Sequence, residues 1–370
     1  MAEQWHVFCR VVDNYGDAGV SWRLARQLVA EHGVAATLWI DRVATLARLD
    51  PGIDAAARAQ TLHGVVVRPL ADDAAMTQLP DVVIETFGCG LPQRYLDAMA
   101  HAPAPPLWIN LEYLSAEPWV DTVHGLASPQ PRLPLARHFW FPGFTSRTGG
   151  LIREAGLITA RDAAAAGRRS RRDSPVEILL FCYANCALPA LFDAWSEGDE
   201  PIRCTVPEGV ATAALDQWLS GAVPHAGQSH THGRLRVDIV PFVAQQAFDG
   251  LLWRSDVNFV RGEDSFVRAQ WAARAFVWQP YPQDENAHRL KLDAFVARYA
   301  AEMPPAARSA FVAFSDAFNA EDGPAAAGAW PAFRAAIGEL EAHGNRWSDA
   351  LLELPELTAG LVRFARGRQL

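Results

Sequence analysis

Lysine is all but missing from this chain: of its 33 basic residues only Lys291 is a lysine. So complete a bias toward arginine reads as coding composition, although arginine also favours bidentate contacts. The basic residues are outnumbered by 42 Asp and Glu, and the formal net charge is −9. A chain this acidic lacks the basic surface on which broad nucleic-acid or membrane-surface binding depends. It also lacks any apolar run near the roughly 18 residues needed to span a bilayer. No basic segment, hydrophobic stretch or cleavage site precedes the first apolar run, so the expected compartment is the cytoplasm. The five cysteines (Cys9, Cys89, Cys182, Cys186 and Cys204) are too few and too scattered for a disulfide framework. They are expected to be buried, reduced thiols. Cys182 and Cys186 have no second ligand pair, which argues against zinc.

What is present is an ordinary globular composition, 50% hydrophobic and 20% charged, long enough at 370 residues for two domains. Apolar runs expected as strands lie at Trp5–Val12, Ala36–Ile40, Val65–Arg68, Asp81–Glu85 and Leu107–Asn110. They alternate with helical or loop segments, and several are continuous, as parallel strands covered on both faces require. The stretch 159–174 turns to Ala, Arg and Asp, with the basic run 168–172, and is read as a solvated domain boundary. Strands then resume at Val176–Tyr183, Arg203–Val206, Leu235–Pro241, Asp256–Val260 and Ala275–Trp278. From Arg289 the pattern is helical, over Leu290–Tyr299, Ala306–Phe318, Trp330–His343 and about 350–364. Two βαβ domains in series predict two Rossmann-like lobes, with a helical C-terminus that crosses back over the first.

Asp13 and Asp17 lie between the first apolar run and a helical pattern in which Val20, Leu24 and Leu28 recur. That puts two carboxylates on the first strand-to-helix turn, where open α/β sheets bind ligands. A dinucleotide site would carry glycines there; this turn has only Gly16 and Gly19 and places negative charge where a phosphate would sit. It suits a cation or a proton. The competing reading is a helix cap with a dipole partner, contributing roughly 0.5–2 kcal/mol.

A second concentration of polar residues, Arg261 to Ser265, follows the strand Asp256–Val260. Gly262 permits a sharp turn, and Asp264 or Ser265 can cap a helix whose free N–H groups bind a diphosphate. Tyr183 and Phe242 stand at expected strand ends, where an aromatic can stack on a nucleobase and Gln245 can bond its edge. Core or rim packing explains each of them singly. Trp119, Glu112 and Glu117 read as a half-buried ring and solvated acids. The histidines at 225, 230 and 232 read as a loop cluster without a role.

Longer runs carry a more specific signal. VVDNYGDAGVSWRLARQL from residue 11, VIETFGC from 83, INLEYLSAE from 109, FPGFTSRTGGLIRE from 141 and FVRGEDSFVRAQWAARAFVWQPYPQDENAH from 259 together resemble the EarP family. These are bacterial rhamnosyltransferases that modify an arginine of translation elongation factor P. The resemblance implies a GT-B fold of two Rossmann-like domains facing across a cleft. Residues 1–160, joined by a C-terminal helix over 351–370, would bind the acceptor, and residues 175–350 the nucleotide sugar. It implies inverting transfer of L-rhamnose from dTDP-β-L-rhamnose, activating the factor for relief of ribosome stalling at polyproline. It implies no cofactor and no metal, and as partners elongation factor P and the donor, with neither nucleic acid nor membrane.

The family's essential carboxylates match Asp13, Asp17 and Glu263, and its donor-contacting residues match Tyr183, Phe242, Gln245, Asp264 and Ser265. Glu263 is counted with the donor site as well. The acids suit the chemistry. A guanidinium is delocalised and always protonated, hence a poor nucleophile. One carboxylate can fix its geometry and another can take the proton as the C–N bond forms. Asp17 is the expected base and Asp13 its partner. Fold alone leaves two alternatives open, another GT-B reaction (a different acceptor, or an epimerase) and a non-catalytic module that docks on a translation factor.

Overall fold

The computed structural model describes residues 2–13, 15–72, 76, 78–167, 175–221, 224–283 and 286–368. The basic run at 168–172 lies outside the described residues. Two compact units emerge, Met1–Ala155 with Leu351–Leu370, and Gly156–Ala350. The division falls at Ala155. The stretch expected as linker from residue 159 is instead part of a helix, Leu157–Ala166, that belongs to the second unit. Four consecutive alanines, the best helix formers, override the polar neighbours that suggested a linker.

The first unit is built on an eight-stranded sheet of β1 (Gln4–Cys9), β2 (Ala35–Ile40), β3 (Gln60–Leu62), β4 (Val65–Pro69), β5 (Val82–Thr86), β6 (Leu107–Leu111), β7 (Ala127–Pro129) and β8 (Ala136–Trp140). Its order is β3-β4-β2-β1-β5-β6-β8-β7. All pairings are parallel except the two edge hairpins, β3 with β4 and β7 with β8. Without the hairpin strands this is the doubly wound order of a dinucleotide fold, and its topological switch point lies between β1 and β5. The inner strands are apolar because helices or side chains cover both faces: Trp5, Val7, Phe8, Val82, Val83 and Ile84 are all completely buried. One face packs Phe8, Trp39, Val83, Tyr95, Met99 and Trp108. The helix Gly16–His32 packs along β1 and β2, burying Trp22, Leu24 and Leu28.

The C-terminal helix Leu357–Arg366 packs on the helix Gly16–His32 within this unit. Glu356 caps it by accepting the N–H groups of Thr358 and Ala359, and accepts that of Arg153 as well. The Thr358 hydroxyl donates to Gln27 Oε1 at 2.8 Å. Gly150 is the close-approach point for this segment. Its φ is +69°, and a Cβ there would stand 1.7 Å from the carbonyl oxygen of Pro355.

The second unit carries a six-stranded sheet of β9 (Val176–Leu180), β10 (Ile202–Pro207), β11 (Ser229–His232), β12 (Leu235–Val240), β13 (Val257–Arg261) and β14 (Ala275–Gln279). The order is β11-β12-β10-β9-β13-β14, parallel apart from the hairpin strand β11, with its switch point between β9 and β13. Phe266 and Trp278 stack at 3.9 Å with Phe295 edge-on, and Trp195, Phe259, Phe314 and Trp330 form a second aromatic cluster. The helical stretch expected over Trp330–His343 breaks into Gly323–Ala335 and Ile337–Leu352. No helix among the described residues is long and apolar enough to cross a membrane.

Candidate active site

β1 stops at Cys9, three residues before the expected end, and the helix begins at Gly16. Asp17, in the first helical turn, folds its side chain back over that turn. Its Oδ2 accepts the backbone N–H of Val12 at 2.8 Å and of Asp13 at 2.9 Å. Its Oδ1 accepts the Tyr113 hydroxyl at 3.3 Å. The helix N-cap is Tyr15 and makes no side-chain capping bond, so neither aspartate is the cap that local sequence allowed. Asp17 is 0% exposed and Asp13 is buried beside it. Burial pushes the Asp17 carboxyl up to about 6; the charge of Asp13 acts in the same direction, while the two N–H donors and Tyr113 oppose it. The result is a carboxylate that is ionised at neutral pH yet readily accepts a proton.

Further residues at this sheet edge escaped the sequence reading. Tyr113 and Phe87 stack at 4.3 Å with 11° between their planes. They follow β6 and β5, and the position of each just past a strand end, inside the INLEYLSAE and VIETFGC runs, was the available signal. Glu112 accepts the side-chain amide of Asn110, and Glu117 the hydroxyl of Ser115 at 2.9 Å, so both acids are engaged rather than merely solvated. Trp119 is 49% exposed and packs edge-on against Phe141.

In the second unit the polar residues gather at the carboxyl ends of β9 and β13, again beside the switch point. Gly262, at φ +56°, makes the turn out of β13; the Trp278 indole donates to its carbonyl at 2.8 Å. Glu263, half-buried, occupies the N-cap of the helix Asp264–Ala272 without a side-chain capping bond. Asp264 and Ser265 therefore do not cap it. The Ser265 hydroxyl turns back to donate to the Arg261 carbonyl at 2.6 Å and accept the Arg261 N–H at 3.1 Å. The first amides of this helix are left pointing out of its N-terminus, as in any α-helix.

Gln245 donates to Asp264 Oδ2 at 3.1 Å, which joins the starts of the helices Gln245–Arg254 and Asp264–Ala272. Lower down, Arg268 grips Asp249 with two bonds of 2.8 and 2.5 Å, both side chains buried, and holds the same two helices in register. Breaking such a pair costs about 3–5 kcal/mol. Tyr183 lies three residues beyond β9, not at its end, and its N–H donates to Gln279 Oε1 at 2.9 Å. Phe242 lies two residues beyond β12, with its ring 6.4 Å from that of Phe181. Arg261 is the organising cation: its guanidinium lies over Phe181 at 4.5 Å and Tyr183 at 5.0 Å and donates to the Cys182 carbonyl.

A cavity of about 680 Å³ opens nearby, lined by Cys182, Asn185, Thr212, Gln217, Arg261 and Glu321 among others, but by none of the six expected donor residues. Cys186, also on its wall, is exposed, against the expectation of five buried thiols; the five are all unpaired with one another. His230 and His232 belong to β11, not to a loop. Among the described residues no group of three His, Cys, Asp or Glu is placed to hold a metal ion.

The family model for the elongation factor P (EF-P) rhamnosyltransferase EarP matches residues 5–366. A protein-arginine rhamnosyltransferase of Pseudomonas putida is 45% identical, covering 99% of each chain. That of Pseudomonas aeruginosa is 43% identical, covering 97% of this chain and 98% of its own. A solved structure described as the structural basis for EarP-mediated arginine glycosylation of EF-P matches with a TM-score of 0.69 at 33% identity, over 98% of this chain and 99% of that one. MurG of Acinetobacter baumannii, at 11% identity and a TM-score of 0.51 over the whole of both chains, shares the GT-B fold alone. By sequence over nearly its full length and by structure, the chain belongs to the EarP family of elongation factor P rhamnosyltransferases.

Proposed function

We propose that this protein transfers L-rhamnose from dTDP-β-L-rhamnose to an arginine side chain of translation elongation factor P, with inversion at the sugar. One observation carries the chemistry: a buried carboxyl, Asp17, at the switch point of the first sheet beside a second acid. A protonated guanidinium must lose a proton to become a nucleophile, and a general base working near neutrality contributes about 10²–10⁴-fold. Asp13 pairs with the guanidinium and orients it. As the guanidinium nitrogen bonds to C1, the C1–O bond to the diphosphate breaks, the nitrogen's proton passes to Asp17, and dTDP leaves with the electron pair. Attack opposite the leaving group gives the α-linked product.

The acceptor set lies on the first unit and the donor set on the second. Phe242 stacks on thymine, and Gln245, oriented by Asp264, reads its edge. Tyr183 borders the same donor. The helix beginning at Asp264, with Arg261 and the Ser265 turn behind it, stabilises the departing diphosphate without a metal ion. Glu263, at the N-cap, contacts the sugar or the incoming cation, since like charge keeps it from the phosphates. Names borne by the relatives, together with the placement of these residues in the loops and helix starts that follow β9, β12 and β13, support the assignment. Intact-mass analysis of elongation factor P after incubation with this protein and dTDP-rhamnose tests it. A deoxyhexose-sized gain located on arginine is expected, and no gain overturns it. Turnover of the nucleotide sugar with no protein acceptor would point instead to an epimerase.

A further inference from the structure

The two oxygens of Asp17 are not equivalent. Oδ2 accepts two backbone N–H groups, which occupy its two lone-pair positions. Oδ1 receives the longer bond from Tyr113, at 3.3 Å. Tyr113 comes from a segment 96 residues away, just past β6. What holds its ring is Phe87, just past β5, stacked on it at 4.3 Å and 11°.

Phe87 is in the left-handed backbone region, with φ +57°. For a bulky L-residue that conformation is strained and survives only where the surroundings enforce it. Two bonds to β6 do so: the Phe87 N–H donates to the Leu111 carbonyl at 2.7 Å, and the Gly88 N–H donates to Asn110 Oδ1 at 3.1 Å. Packing alone does not call for this arrangement, since both rings are only half-buried. Strain of this kind gathers at functional sites.

We infer that the Tyr113 hydroxyl, held by the ring of Phe87, selects Oδ1 of Asp17 as the proton-accepting oxygen and aims it at the acceptor guanidinium. Tyr113 is thus a positioning residue, and the inference rests on the reading of Asp17 as the base. Its consequence has a definite sign. A hydroxyl donating to a carboxylate favours the ionised form, so removing it makes Asp17 harder to ionise. The rate of transfer rises with pH as Asp17 ionises, and without the hydroxyl that rise moves to higher pH.

Tyr113→Phe keeps the ring and its stack on Phe87 while removing only the hydroxyl. Its pH–rate profile should have an acid limb displaced upward by roughly 0.5–1 pH unit. The Asp17 carboxyl carbon, followed by NMR in aspartate-labelled protein, should titrate higher by the same amount. Phe87→Leu, which keeps the hydroxyl but loses the flat support, should move both in the same direction by less. An unchanged limb, or a rate lowered equally at every pH with the Asp17 titration unmoved, overturns the inference. If the parent protein transfers no sugar at all, the proposed function fails, and the titration still decides the contact: a shift supports it and its absence overturns it.

Discussion

Replacing Asp17 with asparagine separates chemistry from architecture, because the two make opposite forecasts. The asparagine carbonyl can accept the N–H groups of Val12 and Asp13 as Oδ2 does, and its amide can face Tyr113, which then accepts instead of donating. What the variant loses is charge and basicity. The Asp17 carboxyl sits at about 6 in the folded protein against an ordinary 3.8, chiefly because it is buried. The folded state therefore holds this proton more firmly than the unfolded chain does. Its stabilising contribution is complete below about pH 4 and disappears as pH rises through about 6. Two pKa units correspond to about 3 kcal/mol of stability forgone at neutral pH.

A neutral isostere escapes that loss. Asp17→Asn should melt above the parent at pH 7.5, by about 2–4 °C for each kcal/mol regained, and the difference should close by pH 4. Transfer to elongation factor P should fall by roughly 10²–10⁴-fold. The parent's rate should rise with pH through about 6. Melting curves at the two pH values and single-turnover kinetics at saturating acceptor provide both readouts. A variant that transfers at the parental rate would show Asp17 to be structural, and the base would have to be sought at Asp13 or Glu263. A variant less stable than the parent at pH 7.5 would show that the turn needs the negative charge itself.

On the donor side, Phe242→Ala should weaken dTDP binding by roughly 1–3 kcal/mol, the range for base–aromatic stacking, while Asp13→Ala on the other unit should leave it nearly unchanged. Calorimetric titration of the two variants checks this, and equal losses would refute the division of labour. Full activity should persist in excess EDTA; a loss restored by Mg²⁺ or Mn²⁺ would move the diphosphate chemistry onto a cation. Gly150→Ala must place a Cβ against the Pro355 carbonyl at positive φ, so it should destabilise the first unit by about 2–4 kcal/mol. A melting temperature within a degree of the parent would show that the C-terminal segment yields easily.

The inner strands were legible for a physical reason: a parallel strand covered on both faces is predominantly apolar, and Val82–Ile84 and Ile178–Leu180 are unbroken apolar runs. β8 was not, because its Arg137 and His138 find partners only in the folded chain. Arg137 reaches buried Glu85 and lies over the rings of Trp108 and Phe139. The hairpin strands β3, β7 and β11 are short, largely polar and at sheet edges, and leave little periodicity to detect. The site divides in the same way. Asp13 and Asp17 were visible because their spacing is local, Asp264 because it stands at a helix start, and Gln245 because it follows an expected strand end. The contacts of Tyr113 with Asp17 and of Arg261 with Cys182 span 96 and 79 residues, and no local pattern encodes them.

Burial alone does not mark a base, and the same unit contains the control. The Glu356 carboxyl is also pushed up, chiefly by burial and further by the nearby charge of Glu31. Yet Glu356 accepts three backbone N–H groups, from Arg153, Thr358 and Ala359, on its two oxygens and fastens the C-terminal helix to the sheet's last loop. Its charge meets a helix N-terminus, which favours it. Asp17 differs in two respects. Its second oxygen carries only a long hydroxyl bond, and its turn leaves the strand beside the switch point, where this class of sheet binds ligands. A fold seeking stability would have put asparagine at this position, with the same bonds and no buried charge. The proposed proton transfer gives the carboxylate a task that asparagine cannot perform.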